Sequence, residues 1–257
     1  MKNKKTIITI IIIMVTYLVL AVVLFGLDNF LSMFQRVSIV LSTGDKWQLK
    51  NGEWSNIEDE KDYNWKKFNV YIDNQLLGKY DLLYNNKWYI YDKKRNSIKY
   101  DGKLLGITGN KKYEIIDFSG QEFDTTGENL LKKILEEKDV DNPNEFTSTS
   151  RVTMDIDGDT LEEDIYTVSN AFTYETDINK KFSIIFINDD KMHVLYEEYA
   201  DINNQYDLCV PKVNSIIDIE KDSKYELIFE CKYFSEMGTC ASMYEFKNGI
   251  YKAIKSC

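Results

Sequence analysis

The chain is poor in the residues that most catalytic signatures need. Its 257 residues hold two prolines, Pro143 and Pro211, one histidine, His193, and four cysteines. The cysteines form no CxxC pair and the histidine stands alone in KMHVLYEEY. A zinc centre built from spaced Cys and His ligands is therefore not encoded. No GxSxG, GxxxxGK[ST] or GxGxxG motif occurs, so nucleophile-elbow hydrolases, P-loop enzymes and dinucleotide enzymes lack their carriers. Positive charge is also short, with 32 Lys and Arg against 42 Asp and Glu. Nucleic acids and anionic lipids select basic clusters, so neither is expected as a partner. Divalent cations fit such a surface.

What is present begins with a long apolar run. Thr6 to Phe25 carries no charge, and only Thr and Tyr interrupt it as polar residues. At about 1.5 Å per residue a helix of this length spans roughly 30 Å, the thickness of a bilayer core. A cleaved leader has an apolar region of about 7–15 residues ending in a small-residue site, and Gly26-Leu27-Asp28-Asn29 offers none. The expectation is an uncleaved single-pass anchor over 6–27. Lys2, Lys4 and Lys5 precede it, and the first basic residue beyond is Arg36. The positive-inside rule then puts a tail, 1–5, in the cytoplasm and the rest of this cell-membrane protein outside. Taking three lysines from a formal charge of −10 leaves −13 for the outer part.

The outer part divides by pattern. A juxtamembrane stalk is expected over 28–43 and a β lobe over 44–124. In that lobe KWQLKNGEW holds an Asn-Gly pair between apolar runs, a strong hairpin signal, and further turn pairs follow at strand-length intervals. Thr125–Val140 reads as a helix, with Thr125 and Glu128 as a capping box. Leu130, Leu131, Ile134 and Leu135 form its apolar face. Helix and linker fill 125–149, and a second β lobe fills 150–257. All four cysteines, Cys209, Cys231, Cys240 and Cys257, lie in that lobe. An exported chain permits disulfides, and Cys231 with Cys240, flanking KYFSEMGT, is the expected staple, against free buried thiols.

The second lobe crowds six carboxylates into MDIDGDTLEED, directly before a β-forming run. DIDGDTLEEDIYTVSN from Asp155 and DIEKDSKYELIFECKY from Asp218 lie 63 residues apart and share acids at positions one, three, five and nine. The first set is Asp155, Asp157, Asp159 and Glu163; the second is Asp218, Glu220, Asp222 and Glu226. Each precedes a strand-like run, and each is followed by hairpin patterns, which makes an internal repeat of four-stranded, blade-sized units. Calcium takes about six to eight oxygen ligands, largely carboxylates. Alternate acids can converge on an ion, and the carbonyls at position seven, Leu161 and Lys224, can complete a shell. Gly158 permits the tight bend. The alternative is a solvated acidic turn.

The spacing DxDGDxxxE before a strand resembles the calcium loops of FG-GAP/VCBS repeats, the blades of integrin-like β-propellers. The resemblance covers two segments of about sixty residues and not the first lobe. It implies that Asp155, Asp157, Asp159 and Glu163 ligate calcium. Thr160 stands where that family commonly has glycine, and Asp164 where it has an apolar residue. In the second copy Glu220 and Lys221 replace a short acid or Asn and a glycine, which should weaken any ion there.

The fold expectation is mainly β: a transmembrane helix, then two antiparallel β lobes joined by one amphipathic helix. The functional expectation is a non-enzymatic, membrane-anchored extracellular module with a structural calcium loop, binding an unknown ligand or protein. The alternative is a cell-envelope hydrolase that uses acidic residues.

Overall fold

The computed structural model describes residues 10–17, 19, 36–50, 52–109, 112–116, 118, 120–173, 178–189, 191–202, 208–233 and 238–255. The expected anchor, 6–27, lies mostly outside these. Residues 10–17 of it are helical with exposed side chains. No helix among the described residues is long and apolar enough to cross a membrane.

The described body is mainly β, in three antiparallel sheets. The first contains β1 (Arg36–Leu41), β2 (Lys46–Lys50), β3 (Glu53–Asn56), β4 (Lys67–Ile72), β5 (Gln75–Asn85), β6 (Lys87–Tyr91), β7 (Ser97–Ile98) and β8 (Leu104–Thr108). Their order is β3-β2-β1-β8-β4-β5-β6-β7. The β2–β3 hairpin forms where the Asn-Gly pair lies, with Gly52 at φ 73°. One helix, α1 (Thr125–Glu137), precedes the second lobe. That lobe is two four-stranded meanders, β9 (Ser148–Met154), β10 (Glu163–Ser169), β11 (Lys180–Asn188) and β12 (Met192–Asp201), then β13 (Val210–Ile217), β14 (Glu226–Lys232), β15 (Thr239–Lys247) and β16 (Ile250–Lys255).

The stalk expected over 28–43 needs correction. Within it β1 is a central strand between β2 and β8, and Val37–Leu41 is buried throughout. A strand covered on both faces loses its polar alternation and reads as a plain apolar run. Close after the long apolar run at 6–25, such a stretch does not stand out by pattern as a separate strand.

The sheets stack face to face. Ile39, Leu49, Tyr71 and Ile107 of the first pack on Ile217, Ile228 and Met243 of the third. The opposite face of the third sheet, Val213, Ile216, Leu227, Phe229 and Tyr244, meets Val152, Ile165, Ile185 and Ile187 of the second. The second sheet then buries Tyr166, Val168, Phe182, Ile184 and Phe186 under Leu131, Ile134 and Leu135 of α1. At about 25 cal/mol per Å² of apolar surface, such interfaces dominate the stability of the body. The connector after β8 bridges Ile115 to Ile217 and Gln121 to Arg151, so it covers the edge strands β13 and β9, whose unpaired backbone would otherwise template pairing with another chain.

Two local expectations shift. The N-cap of α1 is Asp124, not Thr125: its carboxylate accepts from the Gly127 amide at 2.8 Å, the geometry that favours Asp at this position. Arg151 bonds Asp124 and, at 2.8 Å, Asp164, which ties the cap to the second sheet. The staple also differs. Cys231 is bonded to Cys209, with Cα atoms 5.1 Å apart, and Cys240 is itself disulfide-bonded. Cys231 lies on β14, an inner strand with β13 on one side and β15 on the other. Sequence proximity favours Cys240, its cross-strand neighbour on β15, but the bond runs to the β13 side.

Non-reducing digestion of the full chain should recover Cys209 and Cys231 in one linked peptide pair. Cys209→Ser should lower stability by about 2–4 kcal/mol, read as an earlier melting transition.

Candidate metal centre

The two acidic segments are the loops between first and second strands of the two meanders, and they fold alike. In the second sheet Met154 pairs with Glu163; in the third Ile217 pairs with Glu226. The 63-residue offset in sequence is thus an identical register in space. In each loop the last acid turns back on the chain. Glu163 Oε2 accepts from the Ile156 amide at 2.6 Å, and Glu226 Oε2 from the Ile219 amide at 2.9 Å. The first acid caps the bend: Asp155 accepts from the Gly158 and Thr160 amides at 2.8 and 3.0 Å. Asp218 accepts likewise from Lys221 and Ser223.

The backbone strain is also duplicated. Gly158 and Thr160 have φ of 80° and 77°, and the equivalent Lys221 and Ser223 have 61° and 65°. Only Gly158 reaches this region without steric cost. It has a second reason to be glycine, because a Cβ there would lie 2.6 Å from the Ser223 carbonyl oxygen. The loops touch at this point, and the Tyr225 amide donates to the Ile156 carbonyl at 3.0 Å.

What separates the loops is convergence. Asp155, Asp157, Asp159 and Glu163 each place a carboxylate oxygen within 4.8 Å of the others, the one such Asp, Glu, His or Cys group among the described residues. At that separation and an effective dielectric near 20, a fully ionised pair repels by about 3.5 kcal/mol. Five amide donors relieve part of this: two on Asp155 and one each on Asp157, Asp159 and Glu163. A carboxylate offers about four acceptor sites, so lone pairs remain for an ion. Burial raises the Glu163 carboxyl to about 7 against the opposing pull of the Ile156 amide, and Asp157, Asp155 and Asp159 raise it further. Burial likewise raises Asp157. Leu161 sits on the loop with its side chain 61% exposed, and its amide donates to Asp159 Oδ1 at 2.8 Å. Asp164 is turned away, onto Arg151 and Thr153, which explains an acid where an apolar residue was expected.

The second loop's acids are not gathered in this way. Asp218 is taken up by loop amides, Asp222 Oδ1 accepts from the Lys224 amide at 3.1 Å, and Glu226 is 4% exposed. Lys224 places its ammonium 5.8 Å over the Phe246 ring. The groove beside the first loop adds residues the sequence did not single out for this site. Asp189, Lys191 and His193 line it together with Asp157, Asp159 and Glu163. His193 Nε2 is 3.1 Å from Asp189 Oδ2, and its ring meets Tyr251 edge-on at 5.3 Å. Only the β11–β12 turn brings them there.

Gly158→Ala should destabilise the chain by about 2 kcal/mol, combining positive-φ strain with the clash on Ser223, and lower Tm by about 4–8 °C. A second expectation concerns pH. A carboxyl raised by folding stabilises the metal-free protein when protonated; for Glu163 that contribution is full below its ordinary 4.5 and lost as pH rises through about 7. A bound cation competes with that proton, so calcium should raise Tm more at pH 8 than at pH 5.5. Glu163→Gln should flatten the difference.

No family model, curated protein or solved structure matches this chain.

Proposed function

We propose that this chain is a non-enzymatic, extracellular β-rich binding module, held to the cell membrane by residues 6–27, whose Asp155–Glu163 loop takes a structural calcium ion. The observation that carries the reading is the convergence of four carboxylates within 4.8 Å. The donor set is all hard oxygen, which suits calcium or magnesium and not softer metals. Calcium is the choice because an irregular loop of carboxylates suits its flexible shell better than strict octahedral geometry. When bound, the ion would supply the charge that offsets the carboxylate repulsion. The protein's own part is to pre-form the bend, through the Asp155 caps, the Glu163–Ile156 bond and Gly158.

Two further observations support the setting. The Cys209–Cys231 disulfide suits an oxidising compartment, and the uncharged run from Thr6 to Phe25 suits an anchor. Kinship with FG-GAP/VCBS blades is part of the proposal, supported by two meanders that repeat in both sequence and register. A ligand or partner protein outside the cell is proposed without its identity.

A second reading, an envelope hydrolase using acidic residues, is favoured by one observation. The His193–Asp189 pair lines the same groove as Asp157, Asp159 and Glu163, and a histidine oriented by a carboxylate is a general-base arrangement.

Calcium binding with Kd of about 10⁻⁴–10⁻³ M would stabilise the full chain at 1 mM by roughly 0.4–1.4 kcal/mol. Melting in detergent should therefore rise on adding calcium and fall with chelator, and Asp157→Ala should abolish the shift while Asp222→Ala keeps most of it. Equal melting in chelator and calcium would refute the site. Turnover of glycans, peptides or phosphoesters that is lost in His193→Ala would favour the hydrolase instead.

A further inference from the structure

The acidic total conceals a local excess of the opposite sign. KWYIYDKKRNSIK, Lys87–Lys99, carries five basic residues and one acid, and it forms β6, β7 and the turn between them. The acid is taken up inside the turn. Asp92 accepts from the Lys94 and Asn96 amides at 2.7 and 2.8 Å, and from the Asn96 side chain at 2.9 Å. Lys93, Lys94 and Arg95 stand exposed around the turn that these bonds hold.

An aromatic pair lies against them. Trp65 is 45% exposed, whereas Trp47 and Trp88 are buried and Trp54 is partly buried. Its backbone is left-handed, at φ 60°, a rare conformation for so bulky a residue. The Trp65 amide, donating to the Leu82 carbonyl at 2.7 Å, holds it there. The Trp65 ring centre is 5.1 Å from that of Tyr91, and the Arg95 guanidinium stacks over Trp65 at 4.0 Å. A guanidinium stacked by its face keeps its N–H donors at its edge, where phosphate oxygens can meet them. Trp and Tyr with basic neighbours are the side chains favoured at the headgroup level of a bilayer.

Strand register places this platform where the chain arrives from its apolar N-terminal run. Ile39 of β1 pairs with Ile107 of β8, which pairs with Asn69 of β4. The Arg36 end of β1 is therefore the Lys67 end of β4. Lys67 pairs with Asp81, Asp81 with Tyr91, and Tyr91 with Ser97, so the β6–β7 turn shares that end of the sheet. Arg36 and Lys66, the neighbour of Trp65, both meet Asp62, at 2.6 and 3.5 Å. Eight residues separate 27 from Arg36, and at no more than about 3.5 Å each they keep this end within roughly 30 Å of an anchoring bilayer.

Acidic groups reach the same end only at its far edge. Lys247, which lines a recess with Glu220 and Asp222, donates to the Gly52 carbonyl in the β2–β3 turn. From β2 to β6 the sheet order counts five strand spacings, about 24 Å at ~4.8 Å each. That exceeds the screening length of about 8 Å at physiological salt. Total charge argues against anionic lipid as a partner, but the fold gathers basic side chains that the total averages away.

We propose that Trp65, Tyr91 and Arg95, with Lys67, Lys93 and Lys94, dock the first sheet on the phosphate headgroups of an anionic bilayer, the membrane that holds 6–27. This rests on the anchor reading of 6–27 and not on a metal at Asp155–Glu163. The anchor supplies proximity, and the platform sets how the body lies on the surface.

The test reads Trp65 in the full chain reconstituted into vesicles of phosphatidylcholine, alone or mixed with phosphatidylglycerol. The Trp65 signal is the difference in fluorescence between the chain and its Trp65→Phe variant. Phosphatidylglycerol should make that signal quenchable by lipids brominated near the headgroup and cut its quenching by aqueous acrylamide several-fold. Molar salt should reverse both, because the screening length falls to about 3 Å. Each basic residue near an anionic surface is worth about fivefold in binding. Combining Lys93→Gln, Lys94→Gln and Arg95→Gln should therefore lower the docked population on the order of a hundredfold. Lys93→Arg with Lys94→Arg keeps the charge and should keep the docking, which separates loss of charge from misfolding. The proposal is overturned if the Trp65 signal is the same in both vesicle types, or if the triple Gln variant docks like the wild type. It is also overturned if soluble polyphosphate shields Trp65 from acrylamide while phosphatidylglycerol does not. Failure of the anchor reading looks different: the chain would not float with phosphatidylcholine vesicles. Salt-reversible flotation with phosphatidylglycerol vesicles would then report the platform alone.

Discussion

A single hydrogen bond, made twice, sets the geometry of the second lobe. A buried glutamate at the start of a strand accepts from a backbone amide seven residues earlier, Glu163 from Ile156 and Glu226 from Ile219. The amide's own side chain, Ile156 or Ile219, is buried between the sheets. The bond therefore fastens the acidic loop to the core by its middle and holds the remaining acids at the sheet's rim. Replacing the glutamate by an apolar residue would leave a buried amide unpaired, a cost of about 1–3 kcal/mol.

Each clamp also aims its glutamate at the neighbouring layer. Glu163 shares the face of β10 that carries Ile165 toward the third sheet, and Glu226 shares the face of β14 that carries Ile228 toward the first. The two meanders are thus the same unit set down twice in a stack, with the acidic loops at one end and touching at Gly158 and Ser223. Close contact of two negative loops is tolerated because backbone groups, not carboxylates, meet there.

From this common frame the loops diverge by substitution. In the first, short aspartates at alternate positions reach one centre. In the second, Glu220 and Asp222 line a recess with Lys224 and Lys247, and its acids do not converge on one centre. The same loop frame thereby gathers four carboxylates in one copy and leaves them apart in the other.

Much of this was readable in the chain before any fold was known. Acid spacing within each loop, the Asn-Gly hairpin and the helix face of Leu131, Ile134 and Leu135 are local patterns, set by turn chemistry and by the periods of strand and helix. They depend on neighbours a few residues away, so the sequence by itself determined them. The disulfide partner of Cys231, the place of β1 inside a sheet, and the meeting of Asp189 and His193 with Glu163 could be decided only by tertiary structure. Each depends on which strand lies beside which, and cross-strand register joins residues whose separation along the chain carries no signal of their contact.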